Sequence, residues 1–141
     1  MHGRRKFLKS FSLAALLPLT VTGRNYSRPV SRRVHLIDIF VAGYQYYDGM
    51  REEVAGSLQV GDEVLLKRQP DNQYDENAIE VYTLRGYKLG YLPRSENTVI
   101  AAIVDQDIEI RAELSFIDLE ASSWERVAVS VYQVIPSLAT G

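Results

Sequence analysis

From Ile108 to Phe116 apolar and polar residues alternate without a break: Ile108, Ile110, Ala112, Leu114 and Phe116 are separated by Glu109, Arg111, Glu113 and Ser115. Strand side chains point to opposite faces in turn, so this period of two describes a strand with one face in a core and one in water. A strand needs neighbours, and the chain supplies them as short runs punctuated by Gly and Pro. Val34–Val41 is rich in β-branched residues and ends at Ala42-Gly43. Glu63–Arg68 follows the Gly61-Asp62 turn and stops before Pro70, and Ala78–Leu84 turns at Arg85-Gly86 into Tyr87–Leu92, closed by Pro93. Arg126–Ile135 carries Val127, Val129 and Val131 on one face and ends at Pro136. A helix over residues 96–104 is expected from Val99, Ile100, Ile103 and Val104, with Ser95 as its N-cap. A second short helix, broken at Gly56, is expected between Tyr44 and Val60 from the spacing of Met50, Val54 and Leu58. The fold class expected is mainly β: a small OB-like or SH3-like barrel of about six strands with one or two short helices, closed so as to hide its strand edges.

The N-terminus reads differently. Arg4-Arg5-Lys6-Phe7-Leu8-Lys9 precedes a short apolar stretch, Phe11 to Val21, the layout of an export signal. The paired arginines with Phe7, Leu8 and Lys9 resemble the motif of the bacterial twin-arginine export machinery. A signal peptide over 1–23, cut after Gly23, is expected, then a linker over 24–33, a domain over 34–136 and a tail over 137–141. The expected location is periplasmic or otherwise exported, with the cytoplasm as the alternative if the leader does not function and stays as an amphipathic tail. No stable membrane span is expected, since no apolar run reaches about 20 residues. Without the leader, twelve basic residues face eighteen acidic ones, a net charge of −6. That balance argues against a protein that coats duplex DNA through many Lys/Arg–phosphate contacts.

Several chemistries are excluded or weakened by residue type. There is no cysteine, so disulfides, thiolate metal sites and thiol nucleophiles are out. The only histidines are His2 and His35. No phosphate-binding Gly-x-x-x-x-Gly-Lys-Ser/Thr loop is present, which argues against ATP hydrolysis. Asp71, Gln73 and Asp75 begin like a calcium loop, but Glu76 stands where the glycine belongs and Tyr82 where the bidentate glutamate belongs. A metal-dependent hydrolase of phosphoesters or acid anhydrides built on Asp71, Asp75, Glu76 and Glu80 is the least favoured alternative. No catalytic residue, metal or cofactor is expected.

Two stretches carry more polar and aromatic chemistry than a structural domain requires. Val41-Ala42-Gly43-Tyr44-Gln45-Tyr46-Tyr47 sets three tyrosines just after a strand. Leu66-Lys67-Arg68-Gln69-Pro70-Asp71-Asn72-Gln73-Tyr74-Asp75-Glu76-Asn77-Ala78-Ile79 packs Arg, Asn, Tyr and Asp into a loop between two strands, where binding groups are usually placed. With Leu89-Gly90-Tyr91-Leu92-Pro93, these stretches resemble the HIRAN domain, found at the N-terminus of some SWI/SNF-type DNA remodelling helicases and as standalone bacterial proteins. The resemblance covers roughly residues 37–105. It implies an OB-like barrel that captures the 3′ end of single-stranded DNA. It also implies that any helicase or hydrolase activity belongs to fused motor domains. By resemblance, Tyr46 and Tyr74 stack on terminal bases, Asp75 accepts a hydrogen bond from the 3′-hydroxyl, and Arg94 and Tyr91 approach backbone phosphates. Gln45 stands where eukaryotic members place a phosphate-pairing arginine.

Independently of resemblance, aromatic rings give a sequence-tolerant stacking platform, and an ionised carboxylate suits a free hydroxyl while repelling a 3′-phosphate. Arg68 and Asn72 complete the expected nucleic-acid-binding set, with Lys67 and Lys88 as further local positive charge. Structural roles stay open for the same residues. Tyr46 or Tyr47 can be a core aromatic; Asn72, Asp75 and Asn77 can be turn residues; Arg68 can pair with Asp75 or Glu76. The competing function is an exported module that uses the same pocket for another ligand or protein, which the leader favours because DNA repair is cytoplasmic.

Overall fold

The computed structural model describes residues 31–137; the expected leader, most of the linker and the last four residues of the tail lie outside the described residues. Six strands form one antiparallel sheet: β1 (Arg32–Phe40), β2 (Glu63–Arg68), β3 (Ile79–Thr83), β4 (Lys88–Tyr91), β5 (Ile110–Ile117) and β6 (Val127–Ile135). Their order is β1-β6-β5-β2-β3-β4. A four-residue helix α1 (Glu52–Ala55) follows two 3-10 turns, Tyr44–Tyr46 and Asp48–Met50, and α2 (Thr98–Asp105) joins β4 to β5.

The sheet is open along most of its outer edges rather than sealed. Its first and last strands meet through one bridge just beyond β1: the Ala42 N–H donates to the Tyr91 carbonyl at 2.8 Å, and the Tyr91 N–H to the Ala42 carbonyl at 2.9 Å. Gly90 makes the approach possible. Its φ is +148°, and a Cβ there would lie 2.3 Å from the Ala42 carbonyl oxygen. A side chain at this position would part the two segments.

The core lies inside the curved sheet, with Ile39, Val64, Ile79, Val81, Leu89, Leu114, Val127, Val129 and Val131 packed together and α2 contributing Ile100 and Ala101. Each such aliphatic burial stabilises the fold by roughly 1.5–3 kcal/mol. The sequence periodicity is followed with four local departures. β5 begins at Ile110, and Ile108, expected on its buried face, is 37% exposed. β1 begins at Arg32, two residues ahead of the expected domain start. In β5 a bulge between Leu114 and Phe116 shifts the register against β6. Ala112 and Leu114 are buried, while Phe116 turns outward and packs edge-on against Phe40, ring centroids 5.9 Å apart. The helix starts after Asn97, not after Ser95, and Val99 on its expected apolar face is exposed.

Candidate nucleic-acid interface

The loop between β2 and β3 is shaped by its own polar side chains. Asn72 Oδ1 accepts from the backbone N–H of Tyr74 at 2.9 Å and of Asp75 at 3.1 Å. Asp75 Oδ1 accepts from the Asn77 N–H at 2.9 Å. These Asx-type turns explain why Asn and Asp recur here: the side chain substitutes for a backbone acceptor in a segment with no ladder to join. The loop's base is closed by the Gln69 N–H on the Ala78 carbonyl, 2.9 Å.

Arg68 is expected among the ligand contacts, and the structure gives it a different task. Its guanidinium donates to both Asp105 oxygens, at 2.8 and 3.1 Å, to the Ala78 carbonyl at 2.8 Å and to the Glu76 carbonyl at 3.0 Å. It thus ties the loop to the end of α2. The hydrogen bond from Arg68 holds the Asp105 carboxyl below the usual aspartate range, and that bond in turn raises Arg68. The ion pair with Asp75 or Glu76 expected as the alternative is not formed; only the Glu76 backbone is engaged.

Tyr91 is likewise committed internally. Its hydroxyl donates to Gln69 Oε1 and accepts from Lys88 Nζ, both at 2.8 Å, and Asn72 Nδ2 donates to the same Gln69 oxygen at 2.8 Å. Lys88 also donates to the buried Glu80 at 3.0 Å, and its ammonium lies 4.4 Å from the Tyr47 ring centroid and 4.1 Å from that of Tyr91. Desolvation works to lower its pKa, but the bonds to Tyr91 and Glu80 outweigh it, so Lys88 stays firmly charged. Lys88 and Tyr91 brace the loop from behind, with the Tyr91 hydroxyl proton and two of the three Lys88 N–H groups already engaged.

The loop's free side forms a cleft of about 490 Å³ that unites four of the expected site residues, Asn72, Tyr74, Asp75 and Arg94, with Glu76 and Thr98 on its rim. Tyr74 stands 83% exposed. Arg94 is exposed and, among the described residues, enters no ion pair. The Asp75 carboxylate has one protein donor on each oxygen, the Asn77 N–H on Oδ1 and Asn97 Nδ2, 2.7 Å away, on Oδ2. With about four acceptor sites on a carboxylate, room remains for a ligand donor.

Gln45 and Tyr46 lie outside this cleft, on the 3-10 turn that follows the Ala42–Tyr91 bridge. Tyr46 is 78% exposed, so it is no core residue. The core tyrosine is Tyr44, fully buried, its hydroxyl donating to the Gly49 carbonyl at 2.6 Å and its pKa raised by burial. Gln45 is half-buried, and its amide oxygen meets no donor among the described residues. Asn97, Gln69 and the Tyr47–Lys88–Tyr91 stack escape a sequence reading. Only Asn97 had a usable signal, as a cap-type residue directly before the apolar run of α2.

Among the described residues, no three His, Asp or Glu side chains are arranged to hold a metal ion. Of the carboxylates considered for such a site, Glu80 is occupied by Lys88 and Tyr82.

The HIRAN domain family matches residues 34–135 of the chain. A crystal structure of a protein from Lactobacillus plantarum is similar at 32% identity and a TM-score of 0.65, covering 74% of this chain and 97% of that one. The crystal structure of the HIRAN domain of human HLTF is similar at 26% identity and a TM-score of 0.54, covering 76% of each chain. Among curated proteins, a Fanconi-associated nuclease 1 homolog of Arabidopsis thaliana is 28% identical over 95 residues, 67% of this chain and 10% of that protein. A helicase-like transcription factor of Oryctolagus cuniculus is 34% identical over 68 residues, 48% of this chain and 6% of that protein. The matched region is thus a tenth or less of the length of these curated relatives.

Proposed function

This chain belongs to the HIRAN domain family, and from that premise we propose that it is a DNA-binding module which captures the 3′-hydroxyl end of a single strand in the cleft of the β2–β3 loop. Tyr74 stacks on the terminal base, Asp75 accepts from the terminal hydroxyl, and Arg94 meets the nearest phosphate. Tyr46 offers a second ring for a neighbouring base. The observation that carries the reading is one juxtaposition. A bare tyrosine ring sits beside a half-buried carboxylate with acceptor capacity to spare, in a cleft whose one cation is unpaired among the described residues.

Charge supports recognition of an end over tracking of a backbone. All eighteen acidic residues fall within residues 34–136, against eight basic ones there. Of those eight, Arg51, Arg68, Lys88 and Arg111 are held in ion pairs. Affinity should therefore rest on stacking and one hydroxyl, with a salt dependence near that of a single phosphate contact, a slope of roughly −0.7 in log K against log salt. Fluorescence anisotropy with matched oligonucleotides ending in 3′-hydroxyl or 3′-phosphate is the test. Tighter binding of the hydroxyl end is expected; equal binding removes Asp75 from the site.

The competing reading, an exported module holding another ligand in the same cleft, rests on the acidic balance of the domain together with the Arg4-Arg5 leader. A reporter fused to residues 1–23 separates the two. Export that stops when Arg4 and Arg5 are both replaced by Lys supports it; a reporter that stays in the cytoplasm removes it.

A further inference from the structure

Asn97 precedes α2 at the N-cap position, where an asparagine oxygen accepts from N–H groups two or three residues on when the backbone is extended; its own backbone is helical, φ −91° and ψ −15°. No side-chain cap bond is made; the amide is turned so that Nδ2 donates to Asp75 Oδ2 at 2.7 Å, 22 residues away. The orientation is chemically determined, since flipping the amide would set its oxygen against a carboxylate. As a result Oδ1 is buried and meets no donor among the described residues, in a side chain that is 0% exposed. A buried polar atom without a partner is destabilising and calls for an explanation. Local choices that contradict the fold's own stability concentrate at functional sites.

Resting on the end-capture reading above, we propose that Asn97 is a specificity-determining positioning residue. By holding Asp75 from the buried side, it fixes the carboxylate so that a hydroxyl-bearing strand end is accepted and a phosphate-bearing end is refused. Asp75 is then clamped at both oxygens, by Asn97 on Oδ2 and by the Asn77 N–H on Oδ1. Asp75 lines the cleft, and each of its oxygens keeps acceptor capacity beyond the one protein donor it has. Released from Asn97, the carboxylate can rotate about its terminal torsion, which has broad minima, and its aim is lost.

The experiment uses Asn97→Ser, which keeps a small polar group, and Asn97→Ala, which keeps none, in the full chain. Each is scored for melting temperature and for the ratio of affinities for 3′-hydroxyl and 3′-phosphate oligonucleotides. In both variants the selectivity ratio should fall at least fivefold towards one. A folded variant of either kind that keeps the native ratio overturns the proposal, because a merely structural residue would move stability alone. If the native protein shows no preference between ends, the end-capture reading fails, and a second measurement still judges the clamp. Hydrogen exchange of the Asn77 amide, which donates to Asp75, should quicken at least fivefold in Asn97→Ser. An unchanged rate means that Asn97 does not hold Asp75.

Discussion

Two loops of this domain each present a nearly bare tyrosine, Tyr46 at 78% and Tyr74 at 83% exposure, and they are made rigid by opposite means. The segment 43–51 is held mainly through its backbone and one buried ring, with the Asp48 carboxylate accepting from the Lys88 N–H. Gly43 adopts φ +73°, successive 3-10 turns follow, and Tyr44 is driven into the core with Gly49 beneath its ring. The segment 69–78 has no core anchor of that kind. It is held through side chains: Asn72 and Asp75 on neighbouring N–H groups, Arg68 on two carbonyls and Asp105, and Asn97 on Asp75. A backbone-held loop depends on shape and burial; a side-chain-held loop depends on hydrogen bonds and charge. In the second kind the carboxylate that faces the cleft is itself one of the groups that hold the loop.

The largest expected effect tests the first loop. Tyr44→Ala should destabilise the domain by about 3–5 kcal/mol, the range for deleting a buried aromatic, while Tyr74→Ala should change stability by less than about 0.5 kcal/mol. Chemical denaturation measures both, and similar values would erase the distinction. Next, Tyr74→Ala should weaken single-strand binding by about 1–3 kcal/mol, one stacked base. Tyr46→Ala assayed beside it shows whether the backbone-held loop is a second platform or a bystander; unchanged affinity there would confine the interface to the cleft.

Asn72→Ala removes the acceptor shared by the Tyr74 and Asp75 N–H groups and the donor to Gln69. A cost of about 1–2 kcal/mol is expected, with faster amide exchange at 74 and 75 and none of that change at 45–47. The smallest effect is a pH dependence of the second loop. The hydrogen bond from Arg68 lowers Asp105 in the folded state. Its contribution is therefore complete above the ordinary aspartate range and is lost as pH falls through the lowered value. Acidification below about pH 4, near the unfolded aspartate range, should loosen residues 69–78 ahead of 43–51 in exchange measurements. Simultaneous loosening would remove the role of the Arg68–Asp105 pair.

How much was legible differs between these regions for the same reason. β2 was readable to the residue, Glu63–Arg68, because a turn and a proline bracket an apolar run. The alternation at 110–114 foretold which side of β5 is buried, but the bulge that turns Phe116 outward depends on β6 and has no local signal. Tyr74 and Asp75 stood out because Asn, Asp and Tyr crowd a loop between strands. Among three neighbouring tyrosines Tyr44 is the buried one because its ring lies over Gly49, a fit that shows only once the 3-10 turns have folded.

Periodicity and punctuation, which are properties of consecutive residues, determined that this chain forms six short strands with a polar loop able to stack and to accept a hydrogen bond. The tertiary structure alone decided what those groups are free to do. It drew Arg68 to Asp105, set Lys88 against the rings of Tyr47 and Tyr91 and placed Asn97 behind Asp75. Apart from Lys88 and Tyr91, three positions apart, these pairings join residues 22 to 41 positions apart, and the energy of a charge or a buried amide depends on which partner it meets in space. Sequence supplies the functional groups; only packing determines which of them are already satisfied.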